Sequence, residues 1–256
     1  MRNKIITLLV ILSIFIMPST ASSTLTAKLA NMSVTINGQA LSTPVTINDT
    51  TYVKLRELME KAGCTVDYVS GKVTVTSQQY IQDQAKYACA YIKAEKDGLN
   101  YFSEGSGVFV NENYILTCYH VIKGFDKFTI LNDIRLTQSA TLVKYDESLD
   151  VAILKVSYSP GIAKLGDSDS SKPQDKIFTT TSPKGVLNVI STGDMLGTEL
   201  GYLKCDVMVY NGSSGGGLFN SKGELIGICK EAKGTTATYL HAVPINKIKP
   251  LLSGLK

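Results

Sequence analysis

Residues 105–122 read Gly-Ser-Gly-Val-Phe-Val-Asn-Glu-Asn-Tyr-Ile-Leu-Thr-Cys-Tyr-His-Val-Ile. Two apolar runs, 105–110 and 114–119, flank polar residues, the pattern of short strands joined by a turn. The second run ends at His120, so a strand delivers an imidazole where it finishes. Outward from this stretch the rhythm repeats. Short apolar runs fall at 127–131, 134–143, 150–156, 176–181, 186–191, 202–210, 224–229 and 236–243, with turn residues between them. Many short strands at that spacing predict a sandwich or barrel. Residues 245–253 predict a closing helix cut by Pro250.

Two further segments carry chemistry. Leu149-Asp150-Val151-Ala152-Ile153-Leu154-Lys155-Val156 sets a carboxylate at the mouth of a strongly apolar strand. Asn211-Gly212-Ser213-Ser214-Gly215-Gly216-Gly217-Leu218-Phe219 sets a serine in a glycine-rich turn, and residues 223–228 follow as the next hairpin. A serine hydroxyl is a poor nucleophile without a base in hydrogen-bond reach, and imidazole titrates near neutrality. A buried carboxylate fixes the imidazole tautomer and stabilises the imidazolium. Glycines let the chain turn so that N–H groups converge on a developing oxyanion; the expected donors are those of Gly212 and Ser214. Taken singly, the histidine reads as structural, the aspartate as a turn residue and the glycine run as a loop. Their joint order, His120, Asp150, Ser214, is that of chymotrypsin, not of subtilisin or the α/β-hydrolases. Cys118 is too close to His120 along one strand to be its attacking partner.

The 256 residues are 44% hydrophobic and 19% charged, enough for one good core or two modest ones. The net charge of +4 includes Arg2 and Lys4 in the first segment. A balance so near neutral gives no footing for nucleic-acid binding. The five cysteines are an odd number without Cys-x-x-Cys spacing, so zinc is not expected. Cys205 and Cys229 lie on strands flanking the serine and either pair or act as small buried apolar residues.

Residues 1–21 read as a secretory signal peptide: a positive start, an apolar run from Ile5 to Met17, and small residues before a cut expected after Ala21. Residues 22–30 read as a lead-in and residues 31–77 as a small α+β domain. Asn37-Gly38 and Asn48-Asp49 mark hairpin turns there. Leu55, Leu58, Met59 and Ala62 fall at helical spacing before Gly63. Residues 78–87 read as a linking helix, and residues 88–256 as the main β domain.

The stretches "INGQ", "PVTINDTTYVKLRELMEKAG" and "VDYVSGKVTVT" resemble the stalk-like domain related to the N-terminus of copper amine oxidases. No histidine precedes His120, so the usual copper ligands are absent. The resemblance implies an exported protein of a Gram-positive-type bacterium, with a spacer or a contact to the cell envelope at residues 31–77. Across residues 80–256, "GSGVFVNENYILTCYHVI", "SLDVAILKV", "LGDSDSSKPQDKIFTTTSPKG", "NGSSGGGLFNSKGELIGI" and "YLHAVPINKI" resemble, in order, blocks of HtrA-type serine proteases. That resemblance implies a mainly β fold of two antiparallel β-barrels with the triad in the cleft between them. It also implies secreted endopeptidase activity on proteins or peptides, with no metal and no cofactor. Ser213 departs from the Asn or Asp usual before the nucleophile, and Cys118-Tyr119 from the small or amide residues usual before the histidine. Past the closing helix there is no room for the PDZ domain that many such proteins carry. The resemblance sets the primary pocket wall near Met208, Cys229–Glu231 and Leu240–Ala242, with Cys229, Leu240 and Ala242 as candidate substrate contacts. Strand alternation turns His241 away from Leu240 and Ala242; a register slip would instead aim it at an acidic substrate side chain. A catalytically silent binding protein on the same scaffold is the rival reading.

Overall fold

Which strands close on themselves is decided by two-residue alternation. The computed structural model describes residues 28–29, 35–36, 39–41, 45–47 and 50–255, apart from 71, 99, 133 and 234–238. The signal-peptide reading of 1–21 and the two Asn-led hairpin turns lie outside the described residues. The chain divides into two compact units, Met1–Ala62 and Gly63–Lys256.

In the first unit β1 (Lys28–Leu29), β4 (Val45–Ile47) and β5 (Thr50–Tyr52) form an antiparallel sheet, and β2 (Thr35–Ile36) pairs with β3 (Gln39–Ala40). Helix α1 (Leu55–Lys61) follows. The second unit opens with a hairpin of β6 (Cys64–Val69) and β7 (Lys72–Ser77). Helix α2 (Gln78–Tyr87) begins at Ser77, whose hydroxyl accepts from the Tyr80 N–H at 3.1 Å and so satisfies one of the unpaired amides of the first turn.

Twelve strands then close into two antiparallel barrels. The first runs β10-β13-β12-β11-β8-β9, from β8 (Cys89–Glu95), β9 (Phe102–Phe109), β10 (Tyr114–Cys118), β11 (Lys127–Asn132), β12 (Thr137–Asp146) and β13 (Val151–Lys155). The second runs β14-β15-β16-β19-β18-β17, from β14 (Lys176–Thr181), β15 (Val189–Glu199), β16 (Tyr202–Cys205), β17 (Gly217–Asn220), β18 (Leu225–Lys233) and β19 (Tyr239–Pro244). Closure removes the exposed edges that an open sheet would offer to other chains. Strand β11 shows the alternation: Phe128, Ile130 and Asn132 are buried and their neighbours are not. Strands β10 and β13 are buried nearly throughout and pair from Tyr114↔Lys155 to Cys118↔Val151. This register brings the ends that carry His120 and Asp150 side by side.

The first barrel's core includes Ile92, Phe109, Ile115, Leu116, Ile130, Ile153 and Leu154, all fully buried. Each such side chain contributes about 1.5–3 kcal/mol by leaving water. The same cluster continues through the stacked rings of Phe178 and Phe219, 5.3 Å apart, so apolar packing joins the two barrels. A second cluster, with Met195, Leu203, Leu218 and Leu240, fills the other barrel. The closing helix α4 (Ile245–Leu252) buries Ile245 and Ile248. Pro250 does not cut it. It lies in the last turn, the helix runs two residues further, and the Ser253 N–H bonds the Pro250 carbonyl at 3.3 Å. All five cysteines are free thiols, so Cys205 and Cys229 are not paired.

Candidate active site

Strand β10 hands over directly to the short helix α3 (Tyr119–Ile122), and His120 sits on it beside the end of β13. The Tyr119 N–H donates to the Asp150 carbonyl at 3.1 Å and the His120 N–H to Asp150 Oδ1 at 2.9 Å. The ring then closes the contact: His120 Nδ1 lies 2.7 Å from Asp150 Oδ2. Both carboxylate oxygens are therefore held by one residue, which leaves Nε2 as the ring's remaining nitrogen. Asp150 adopts φ +60°, a left-handed conformation costly for most side chains and tolerated best by Asn and Asp. Burial pushes its carboxyl pKa up, but the ring and backbone hydrogen bonds from His120, with the charges of His120 and Lys230, outweigh burial and hold it below its ordinary value.

Ser214 comes from the other barrel, on the turn before β17. Its neighbours Gly212 and Gly215 have φ +93° and +89°, so the turn requires residues at ease in that region. A Cβ on Gly215 would lie 2.1 Å from the Ser106 carbonyl oxygen, so glycine is also demanded sterically. Within the turn, the Ser213 N–H donates to Tyr210, Gly215 to Cys229 and Gly216 to Ser213. Among the described residues the Gly212 and Ser214 N–H groups have no acceptor. The Ser214 hydroxyl donates to the Lys230 carbonyl at 3.0 Å.

Ser106, fully buried on β9, ties the turn to the first barrel. Its N–H donates to the Ser214 carbonyl at 2.8 Å and its hydroxyl to the Gly212 carbonyl at 2.8 Å. The same hydroxyl accepts from the Ser182 N–H at 2.8 Å. Ser213 is buried beside Ser214, its hydroxyl donating to Thr181 at 3.1 Å and accepting from the Tyr210 N–H at 3.2 Å. Its hydroxyl thus braces the turn where a larger amide or carboxylate was the family expectation.

His120, Asp150 and Ser214 line one cleft of about 620 Å³, together with Lys184, Val209, Tyr210, Asn211, Ser213, Cys229, Lys230 and Leu240. Cys229 and Leu240 thus stand in the cleft wall. Ala242 does not: it is fully buried on β19, paired with Leu203 and Cys229 in the barrel wall. His241 is turned away, buried, with Nε2 3.0 Å from Glu199 Oε2. Ser106, Lys184, Tyr210 and Asn211 are the site residues that reading the sequence missed. A buried serine between Gly105 and Gly107 was the available signal for the first.

Cys118 Sγ, His120 and Asp150 form a group whose ligand atoms lie within 4.8 Å of one another. It is where a soft divalent ion would find donors. The thiol, however, points at the Cys229 carbonyl, 3.2 Å away, and the ring and carboxylate are bonded to each other. Burial, then the neighbouring thiols, push the Cys229 pKa well above the ordinary value, so it stays a neutral, apolar thiol in the second barrel's core.

Residues 105–228 match the family described as Trypsin-like peptidase domain. A probable periplasmic serine protease, do/HhoA-like, of Haemophilus influenzae is 33% identical over 170 residues, 60% of this chain and 36% of that protein. The serine protease Do-like HtrA of Lactococcus lactis subsp. cremoris is 31% identical over 189 residues, 62% of this chain and 46% of that one. The chain thus spans less than half the length of these relatives. Among solved structures, the HtrA-type protease AlgW with tripeptide superposes with a TM-score of 0.64 at 26% identity, over 70% of this chain and 64% of that one. The serine endoprotease from Yersinia pestis gives the same TM-score at 24% identity, over 69% and 65%. The fold is the mainly β, two-barrel trypsin-like fold.

Proposed function

We propose that residues 88–256 are a serine endopeptidase that cuts protein or peptide chains outside the cytoplasm through an acyl-enzyme. The observation that carries the reading is the doubly bonded His120–Asp150 pair opening onto the same cleft as Ser214. The similarity to HtrA-type proteases supports it independently. The names of several relatives, which call them periplasmic, support action beyond the cytoplasmic membrane, as does the signal-like start of the chain. Residues 31–77 would serve as the stalk-like module that meets the cell envelope.

In this mechanism Asp150 orients the ring through Nδ1–H, and Nε2 is the base. The Ser214 hydroxyl rotates from the Lys230 carbonyl toward Nε2, gives up its proton there and adds to the scissile carbonyl. The Gly212 and Ser214 N–H groups, without acceptors among the described residues, receive the oxyanion; one such donor is typically worth about 2.7–4 kcal/mol of barrier. The imidazolium returns its proton to the leaving amine, which breaks the C–N bond and leaves the acyl group on Ser214 Oγ. Water, deprotonated by the same nitrogen, then releases the acid and restores the hydroxyl.

The test is labelling of the full chain by a fluorophosphonate probe. Wild type labels and Ser214→Ala does not, and casein digestion is lost in His120→Ala. Equal labelling of both proteins, or of neither when folded, would leave the silent binding scaffold as the better reading.

A further inference from the structure

The charged lining of the cleft is unbalanced. Among the described residues Lys184 and Lys230 stand there against one carboxylate, Asp150, and both oxygens of that carboxylate face His120. The Lys230 ammonium bonds the Tyr202 hydroxyl at 2.9 Å and lies 4.6 Å over the Tyr202 ring. Lys184 is different. It is exposed, and among the described residues its ammonium has neither a carboxylate nor a hydroxyl partner.

Its backbone is also unusual. Lys184 has φ +51° and ψ 33°, and Gly185 follows at φ +75°. A left-handed conformation disfavours a long L side chain, and such outliers cluster where a site needs them. The segment is pinned against the nucleophile turn: the Lys184 N–H donates to the Asn211 carbonyl at 3.1 Å, and a Cβ on Gly212 would lie 2.9 Å from that nitrogen. The backbone of Lys184 is therefore fixed beside this turn, and Lys184 lines a cleft whose apolar wall is Val209, Cys229 and Leu240. His241, the other candidate for reading an acidic group, is buried against Glu199 and turned away.

We propose that Lys184 makes this cleft select peptide segments that carry an acidic side chain next to the bond to be cut. The inference rests on the endopeptidase reading of the same cleft. An exposed ammonium gains from a carboxylate mainly through long-range attraction, which salt screens. The preference is therefore modest and sensitive to ionic strength.

Two measurements test it separately from catalysis. Quenched peptides identical except for Glu or Gln beside the cut bond are compared by kcat/KM on the full chain. The same peptides, fluorescently tagged, are titrated against Ser214→Ala by anisotropy. Wild type favours the Glu peptide by about three- to fivefold at low salt, the upper part of what an exposed ion pair contributes. The ratio falls toward one in 0.5 M salt on the order of a 3–4 Å screening length. Lys184→Asn, suited to the left-handed backbone, removes the ratio. Lys184→Arg keeps it, and so does Lys222→Asn, whose side chain does not line the cleft. A ratio near one in wild type, or one unchanged in Lys184→Asn, overturns the proposal. Preferential binding of the Glu peptide without cleavage of any peptide would sustain charge selection and refute the endopeptidase reading. Equal cleavage and equal affinity for both peptides would do the reverse.

Discussion

The molecule contains two histidines, and each is paired with a carboxylate. His120 Nδ1 lies 2.7 Å from Asp150, and His241 Nε2 lies 3.0 Å from Glu199. By distance the two pairs are nearly alike; burial runs in opposite directions. At the cleft the histidine side chain is 48% exposed and the carboxylate 14%. In the other pair the histidine is 4% exposed and the carboxylate 39%. His120 is thus anchored through Nδ1 by a sheltered charge, which leaves its second nitrogen outside that contact. His241 is itself the sheltered group, packed between Tyr202 and Tyr239 with ring centroids 5.7 and 5.3 Å away. A histidine–carboxylate contact does not by itself make a base. Which partner is buried, and which nitrogen the contact uses, decide what the ring can do.

Substitution separates the two. His120→Ala should lower kcat on a protein substrate by about 10⁴- to 10⁶-fold, while the melting temperature hardly moves. An intact rate would end the comparison. Asp150→Asn should follow, with about a 10⁴-fold loss, because the amide no longer enforces the tautomer that leaves Nε2 free. His241→Ala should spare kcat within a few fold but cost about 2–4 kcal/mol of stability by emptying a packed aromatic site. In calorimetry that is a fall of about 5–15 °C for a domain this size. A large kcat loss at unchanged stability would show that His241 also serves the cleft.

Acid should act on both pairs through their carboxylates. Burial pushes the Asp150 carboxyl up but its His120 bonds hold it lower overall, and hydrogen bonds from Lys204 and His241 hold Glu199 below its ordinary value. A depressed carboxyl contributes stability that is present above its unfolded value, here 3.8 for Asp150 and 4.5 for Glu199, and is lost as pH falls through the folded value. The melting temperature should accordingly hold from neutrality to about pH 5 and then decline. Glu199→Gln, the mildest change, should reduce that decline slightly and leave the neutral-pH rate alone. A decline that begins near pH 7 would point to other groups.

The barrels were largely legible as apolar runs, but two strands were not. Strand β8 buries Ala90 and Ala94 beside Ile92, side chains too small to register as a strong run. Strand β17 is only four residues long and follows directly on the glycine turn, so turn chemistry hides it. Conversely, the run 202–210 continues past the end of β16 because Val207 and Val209 are buried without being strand residues, and Val209 belongs to the cleft wall. Within the site, His120, Asp150 and Ser214 stand out because each interrupts an apolar or glycine-rich pattern. Ser106 and Lys184 do not, because their roles depend on backbone partners about a hundred positions away or on a left-handed turn, and neither leaves a periodic trace.

Ser106 has a consequence for how the protein loses activity. The groups proposed to react are divided between the barrels, and one side chain from the first barrel holds backbone atoms from two loops of the second. Loosening that contact would shift these groups relative to one another before the strand ladders within either barrel are lost. Cutting power should fail at milder denaturant than the circular dichroism of the strands, so that turnover gauges how closely the two barrels are held together.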